Sequence, residues 1–183
     1  MKVIVAVSGA SGVLYGYTLL KALKGNDVSL VLSEDARTVI GEETDLRPED
    51  FEKLVARSYD NADLAAPMSS GSHKFDAMVI VPCSGTTLSK IACGIADNLT
   101  TRVAAVCLKE GRRLILVPRE TPVSPILLEN MLKLSRLGVT ILPASPGFYS
   151  RPKRAQELVD FIAARIMDNL GLKQNLFRGW KEE

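Results

Sequence analysis

Residues 2–8 (Lys-Val-Ile-Val-Ala-Val-Ser) constrain the fold more than any other stretch of the chain. The run is apolar and β-branched, with no polar alternation. A strand of this kind is buried on both faces, as in the middle of a parallel sheet. Residues 9–12 then form a glycine-containing turn. Residues 13–23 place Leu14, Tyr17, Thr18 and Lys21 at helical spacing and stop near Gly25-Asn26.

The same alternation continues. Further strands are predicted at 28–32, 77–81, 114–117 and 139–142. Helices are predicted at 34–40, 48–56, 84–93, 98–109, 125–137 and 155–170. Ser33 stands where it can cap the second helix, with Glu34 and Asp35 in the first turn where the dipole favours acids. Residues 41–72 are the least regular stretch, and 65–72 read as a loop. Strands alternating with helices imply an α/β fold of three layers, with a doubly wound, Rossmann-like parallel sheet between two helical layers. The 183 residues suffice for one domain spanning 1–183, with an irregular tail over about 171–183.

Composition narrows the function. Lys+Arg 23 against Asp+Glu 21 leaves +2, which gives no basic excess for nucleic acid. Apolar runs fall far short of the roughly 20 residues that span a bilayer. The opening run leads into a glycine turn rather than a cleavage site, so no signal peptide is expected. Three widely spaced cysteines (Cys83, Cys93, Cys107) suit neither a disulfide framework nor a zinc site, and they fit a reducing cytoplasm. His73 is the only histidine, which excludes a site built on two histidines of one chain.

In doubly wound sheets, ligands lie beyond the carboxyl ends of the strands, near the switch in strand order. Four segments occupy such positions. Ser8-Gly9-Ala10-Ser11-Gly12 pairs a tight turn with free N–H groups at a helix start, which attract anions. It lacks a full dinucleotide fingerprint, and Ser33 stands where an acid would hold a ribose. A mononucleotide or flavin phosphate is therefore favoured over a dinucleotide. Pro82-Cys83-Ser84-Gly85-Thr86-Thr87 presents three hydroxyls at another helix start, suited to a phosphate or a polar ring edge. Cys83 reads as a buried, inert thiol, because the sole histidine lies in a separate loop. Pro118-Arg119-Glu120-Thr121-Pro122 combines a phosphate-clamping Arg with a carboxylate able to act as acid or base. Residues 143–152 form a proline-rich loop with two aromatics and an Arg, a pocket wall or an oligomer contact. The basic cluster at 109–113 reads on its own as a solvated helix end.

Taken in order, these segments resemble the UbiX-type flavin prenyltransferases. The resemblance rests on residues 8–12, Pro82-Cys83-Ser84, Asp97-Asn98-Leu99, Leu108-Lys109-Glu110, residues 118–122, Glu129-Asn130-Met131-Leu132 and Pro146-Gly147-Phe148-Tyr149. It covers nearly the whole chain. Two departures stand out. The glycine of the Cys-Ser-x-Gly-Thr loop comes one position early, at Gly85-Thr86, with Ser84 and Thr87 in register. Leu64 stands where many members carry Trp.

The resemblance implies metal-independent prenyl transfer. Dimethylallyl phosphate would alkylate N5 of reduced FMN, with closure at C6, and a UbiD-type decarboxylase would receive the prenylated FMN. It implies FMN contacts from Gly9, Ala10, Ser11, Ser33, Ser84, Gly85, Thr86, Thr87, Arg102 and Arg119. It implies a phosphate grip of Lys109, Arg119, Tyr149 and Arg165. Glu43 and Glu120 would handle protons around N5 and C6, Ser11 would hydrogen-bond near N5, and Arg102 would act across a subunit contact. It further implies trimers packed into dodecamers, with sites between subunits, to which the apolar tail at Leu176, Phe177 and Trp180 would contribute. Two rival readings share the fold: an FMN-dependent cysteine decarboxylase and a non-catalytic FMN carrier. The decarboxylase reading lacks its early histidine and its Pro-x-Met-Asn loop. The carrier reading leaves Arg119, Glu120, Tyr149 and Arg165 without a purpose.

Overall fold

A computed structural model describes residues 1–177. Six parallel strands form the sheet: β1 Lys2–Val7, β2 Asp27–Leu32, β3 Arg57–Asp60, β4 Ala77–Cys83, β5 Arg113–Pro118 and β6 Thr140–Ile141. Their order is β3-β2-β1-β4-β5-β6, so the direction of winding switches between β1 and β4. Helices α1 Val13–Ala22, α2 Glu34–Glu43, α3 Pro48–Glu52, α4 Gly85–Ala92, α5 Leu99–Glu110, α6 Pro125–Arg136 and α7 Ala155–Leu170 cover the two faces.

The period-two alternation of β1 divides the core. Val3, Val5 and Val7 pack with Leu19 and Leu20 of α1, Ile40 of α2 and Ile162 and Ile166 of α7. Ile4 and Ala6 face the other way, toward Leu88 of α4, Val103 of α5 and Leu134 of α6. Two apolar layers of this kind are what a continuously apolar strand requires. At Gly16 of α1, an added Cβ would lie 2.7 Å from the Val81 carbonyl oxygen, so the helix backbone rests almost directly on β4.

The structure corrects the sequence reading in three places. The helix expected over 48–56 ends at Glu52, and residues 57–60 form the edge strand β3, making six strands instead of five. The strand expected over 139–142 is reduced to Thr140–Ile141. The loop over 65–72 contains a single 3-10 turn, Pro67–Ser69. β3 reads Arg-Ser-Tyr-Asp and is mostly exposed, so it carries none of the apolar signal of a central strand. In the tail, Phe177 folds back onto its own chain, 4.8 Å from Phe161 between ring centroids. Trp180 lies outside the described residues.

Candidate functional site

The tips of β1 and β4 are joined by one side chain. The Ser8 hydroxyl, buried, donates to the Pro82 carbonyl at 3.0 Å and accepts the Ser84 N–H at 2.8 Å. The two loops flanking the switch point are thus tied together. Ser8 was not singled out in the sequence beyond its place in the turn. A polar residue closing an otherwise apolar run was the available signal.

Gly12 starts α1 with a left-handed backbone (φ 99°) and has no side chain to cap the helix. Glu43, the last residue of α2, supplies the cap. Its Oε2 accepts the Gly12 N–H at 2.8 Å and the Val13 N–H at 3.4 Å. A carboxylate on the positive end of a helix is favourable. These two donors, expected from sequence to face a ligand, are therefore engaged by Glu43. Ser33 caps α2 as expected, accepting the Ala36 N–H at 3.1 Å. Asp35 lies against the turn so closely that a Cβ on Gly9 would overlap it.

The start of α4 remains open. Ser84 Oγ accepts the Thr87 N–H at 3.1 Å and donates to Thr87 Oγ1 at 2.9 Å. The Gly85 and Thr86 N–H groups, which precede the first intrahelical bond, have no acceptor among the described residues. Glu120 stands beside them, its Oε2 3.6 Å from where a Gly85 Cβ would be. Gly85, Thr86 and Glu120 border a cavity of about 530 Å³ that runs between α4 and α6.

Arg119 follows β5 directly. Its Nε is buried and has no hydrogen-bond partner among the described residues. Tyr15 of α1 lies within its field: burial pushes the Tyr15 phenol up, while the Arg119 charge works in the opposite direction. A buried guanidinium nitrogen with no partner among the described residues suits an anion or a ring acceptor.

Tyr149 and Arg165 form a neighbouring group at the β6 edge. The Ala144 N–H donates to the Pro118 carbonyl at 2.9 Å, so the loop carrying Tyr149 departs from beside Arg119. Tyr149 packs edge-on against Phe161, with centroids 5.9 Å apart. Arg165, half-exposed, borders a cavity of about 320 Å³ with Phe161 and Ser145. Its Nη1 pairs with Asp168 at 2.8 Å, leaving further donors of the guanidinium to turn outward.

Two expected site residues are not brought in. Arg102 lies exposed in the first turn of α5, whose start is tied to Asn61 beyond β3. Lys109 lies at the other end of that helix, against Gly71 and paired with Glu110 at 3.4 Å. α5 runs opposite to the strands, so Lys109 sits at the amino edge of the sheet. Arg119 sits at the carboxyl edge, and the length of β5, at about 3.3 Å per residue, separates them.

Burial disfavours the thiolate form of both buried cysteines. Burial raises the Cys83 thiol far above its ordinary value and pushes Cys107 up to about 12. Iodoacetamide at mildly alkaline pH is expected to label no thiol of the native chain but the exposed Cys93. Intact mass with a second adduct would restore a reactive thiolate at Cys83 or Cys107. Among the described residues, no group of three or more His, Cys, Asp or Glu could hold a metal.

The flavoprotein family model matches residues 1–167. The flavin prenyltransferase UbiX of Thermoplasma acidophilum is 52% identical over 98% of this chain and 100% of its own length. The chain belongs to the flavoprotein family, among the UbiX-type flavin prenyltransferases. The UbiX of Methanocaldococcus jannaschii is 47% identical over 98% of each chain. Two solved structures of this family superpose with TM-scores of 0.97. One is a dodecameric FMN-dependent UbiX-like decarboxylase of Escherichia coli O157:H7, 45% identical over 100% of each chain. The other is AnUbiX in complex with FMN and dimethylallyl pyrophosphate, 40% identical, covering 100% of this chain and 98% of that one. The peptidyl-cysteine decarboxylase EpiD shares the fold, with a TM-score of 0.62 at 22% identity.

Proposed function

We propose that this chain joins the dimethylallyl group of dimethylallyl phosphate to N5 and C6 of reduced FMN. The observation that carries the reading is the buried Nε of Arg119, which has no hydrogen-bond partner among the described residues. Arg119 follows Pro118, which pairs with Cys83 just before the α4 start and whose carbonyl accepts the Ala144 N–H at 2.9 Å. The full-length likeness to a protein bound to FMN and dimethylallyl pyrophosphate supports it.

The residues present fit FMN. We assign to it the Gly85 and Thr86 N–H groups, the Ser11 and Thr87 hydroxyls, the Gly9-Ala10 turn, Ser33 and the Arg119 guanidinium; the Ala10 N–H itself donates to the Ser8 carbonyl at 2.8 Å. When bound, the reduced flavin supplies the nucleophilic N5 and C6. The chain's own work is electrostatic. As the allylic C–O bond breaks, the electron pair leaves with the phosphate. Arg119, Tyr149 and Arg165 bind that phosphate and stabilise the charge it gains. Glu120, close to the α4 start, accepts the proton released on alkylation. Ser11 donates a hydrogen bond near N5. Glu43 shares in proton handling and holds the Gly12 turn in place. Lys109 completes the phosphate grip, and Arg102 the FMN contacts, only from a neighbouring copy, so the working form is a homo-oligomer, a dodecamer by the family's pattern. The exposed α6 side chains Leu128 and Leu132, one turn apart, provide an apolar face for such contacts. A UbiD-type decarboxylase in the cytoplasm is the proposed recipient of the product. No described helix is long and apolar enough to cross a membrane.

The test is the mass of the released flavin after anaerobic incubation with FMN, a reductant and dimethylallyl monophosphate or diphosphate. A gain of one isoprene unit is expected. Unmodified FMN with both donors would leave a carrier or a thiol-directed enzyme. Glu120→Gln is expected to bind FMN normally and slow formation of the product about 100-fold; wild-type rates would remove Glu120 from proton handling. Arg165→Ala is expected to raise the KM for the allyl phosphate about tenfold, the loss of one charge-assisted contact. Equal loss of FMN affinity would point instead to damaged assembly.

A further inference from the structure

Tyr149 stands on a loop with little regular backbone pairing, and 46% of its surface is exposed. Its ring is nevertheless enclosed on three sides. It lies over the bare backbone of Gly147, where an added Cβ would come within 2.8 Å of the ring. Phe161 of α7 meets it edge-on at 5.9 Å and 77°. Phe177 meets it from the chain's far end at 5.7 Å and 75°. Phe161 and Phe177 in turn cross at 4.8 Å and 76°, which closes a triangle of edge-to-face contacts.

Phe177 has no helix or strand to hold it. α7 stops at Gly171 in a left-handed turn (φ 75°). Beyond it, one side chain organises the return. Gln174 Oε1 accepts the Leu176 N–H at 2.9 Å and the Phe177 N–H at 3.0 Å. Gln174 Nε2 donates to the Phe177 carbonyl at 2.9 Å. Both backbone polar groups of Phe177 are thus satisfied by a single amide, which fixes the backbone from which its ring projects.

We propose that Phe177, held by Gln174, is a positioning residue that sets Tyr149 for the allyl phosphate. The inference rests on the phosphate role assigned to Tyr149 above. Phe177 touches no reacting atom; it acts only by limiting where the phenol can go. Simple hydrophobic cover would behave differently, since its loss would weaken the fold and every ligand together.

The experiment measures donor KM, kcat and FMN affinity in the full chain with dimethylallyl monophosphate. Phe177→Ala is expected to raise the donor KM about fivefold with FMN affinity unchanged. Phe177→Tyr keeps the ring edge and is expected to restore the wild-type KM. In a Tyr149→Phe background, Phe177→Ala is expected to add almost nothing, because no phenol hydroxyl is left to be misplaced. Gln174→Ala should reproduce the Phe177→Ala effect and serves in its place if that variant fails to fold. A wild-type donor KM in both Phe177→Ala and Gln174→Ala would overturn the proposal, as would penalties that multiply in the double variant. A wild-type donor KM in Tyr149→Phe would overturn the phosphate role of Tyr149 itself, and the positioning role with it.

Discussion

Replacing Arg119 with alanine is expected to lower prenyl transfer about 1000-fold while the thermal midpoint holds or rises. The two halves of this result have one cause. The Nε of Arg119 is buried without a hydrogen-bond partner among the described residues. A buried donor left unsatisfied costs about 1–3 kcal/mol in the ligand-free chain, so removing it forfeits no native hydrogen bond at that atom. With a phosphate in place, the same fork gives charge-assisted contacts to the group that gains negative charge as the C–O bond breaks. Arg119→Lys keeps the charge and loses the planar fork, so it should recover only part of the rate. Turnover of Arg119→Ala within tenfold of wild type would remove this residue from the centre of the mechanism.

The second large effect is on stability. Gly16→Val is expected to destabilise the chain by about 3 kcal/mol, because overpacking a close helix–strand crossing forces the backbone to move. For a domain of this size that is a fall of about 6–12 °C in Tm. The reason is local. A Cβ at Gly16 would lie 2.7 Å from the Val81 carbonyl oxygen and 3.2 Å from Val7 Cγ2. A backbone oxygen cannot turn aside as a side chain can. α1 would have to lift from β4, taking the turn at Gly12 away from the Ser84 loop. FMN affinity should therefore fall along with Tm. An unchanged melting temperature would show that the crossing is looser than its geometry.

The central strands could be read directly, because residues 2–8 and 77–81 are apolar on both faces and only a covered parallel sheet suits them. β3 was missed for the complementary reason. Its Arg-Ser-Tyr-Asp sequence lies at the sheet edge, where pairing with β2 and not hydrophobicity defines the strand. The loops at Ser8, Ser84 and Arg119 could be found from strand ends alone. Tyr149 and Arg165 came from family likeness, since periodicity makes Arg165 an ordinary exposed helix position. The Glu43 cap on α1 could not be read, because a contact across 31 residues leaves no local pattern. Nor could spacing reveal that Lys109 and Arg119, only ten positions apart, stand at opposite edges of the sheet. A helix followed by a strand returns the chain across its full width.

The Ser8 hydroxyl, bonded to both Pro82 and Ser84, has a thermodynamic consequence for ligand capture. Two loops distant in sequence cannot fluctuate independently while that hydroxyl joins them. With Glu43 holding the adjoining turn, most of the conformational freedom of these walls is lost during folding rather than at binding. An incoming mononucleotide then meets a preorganised wall, and more of its contact energy remains as affinity.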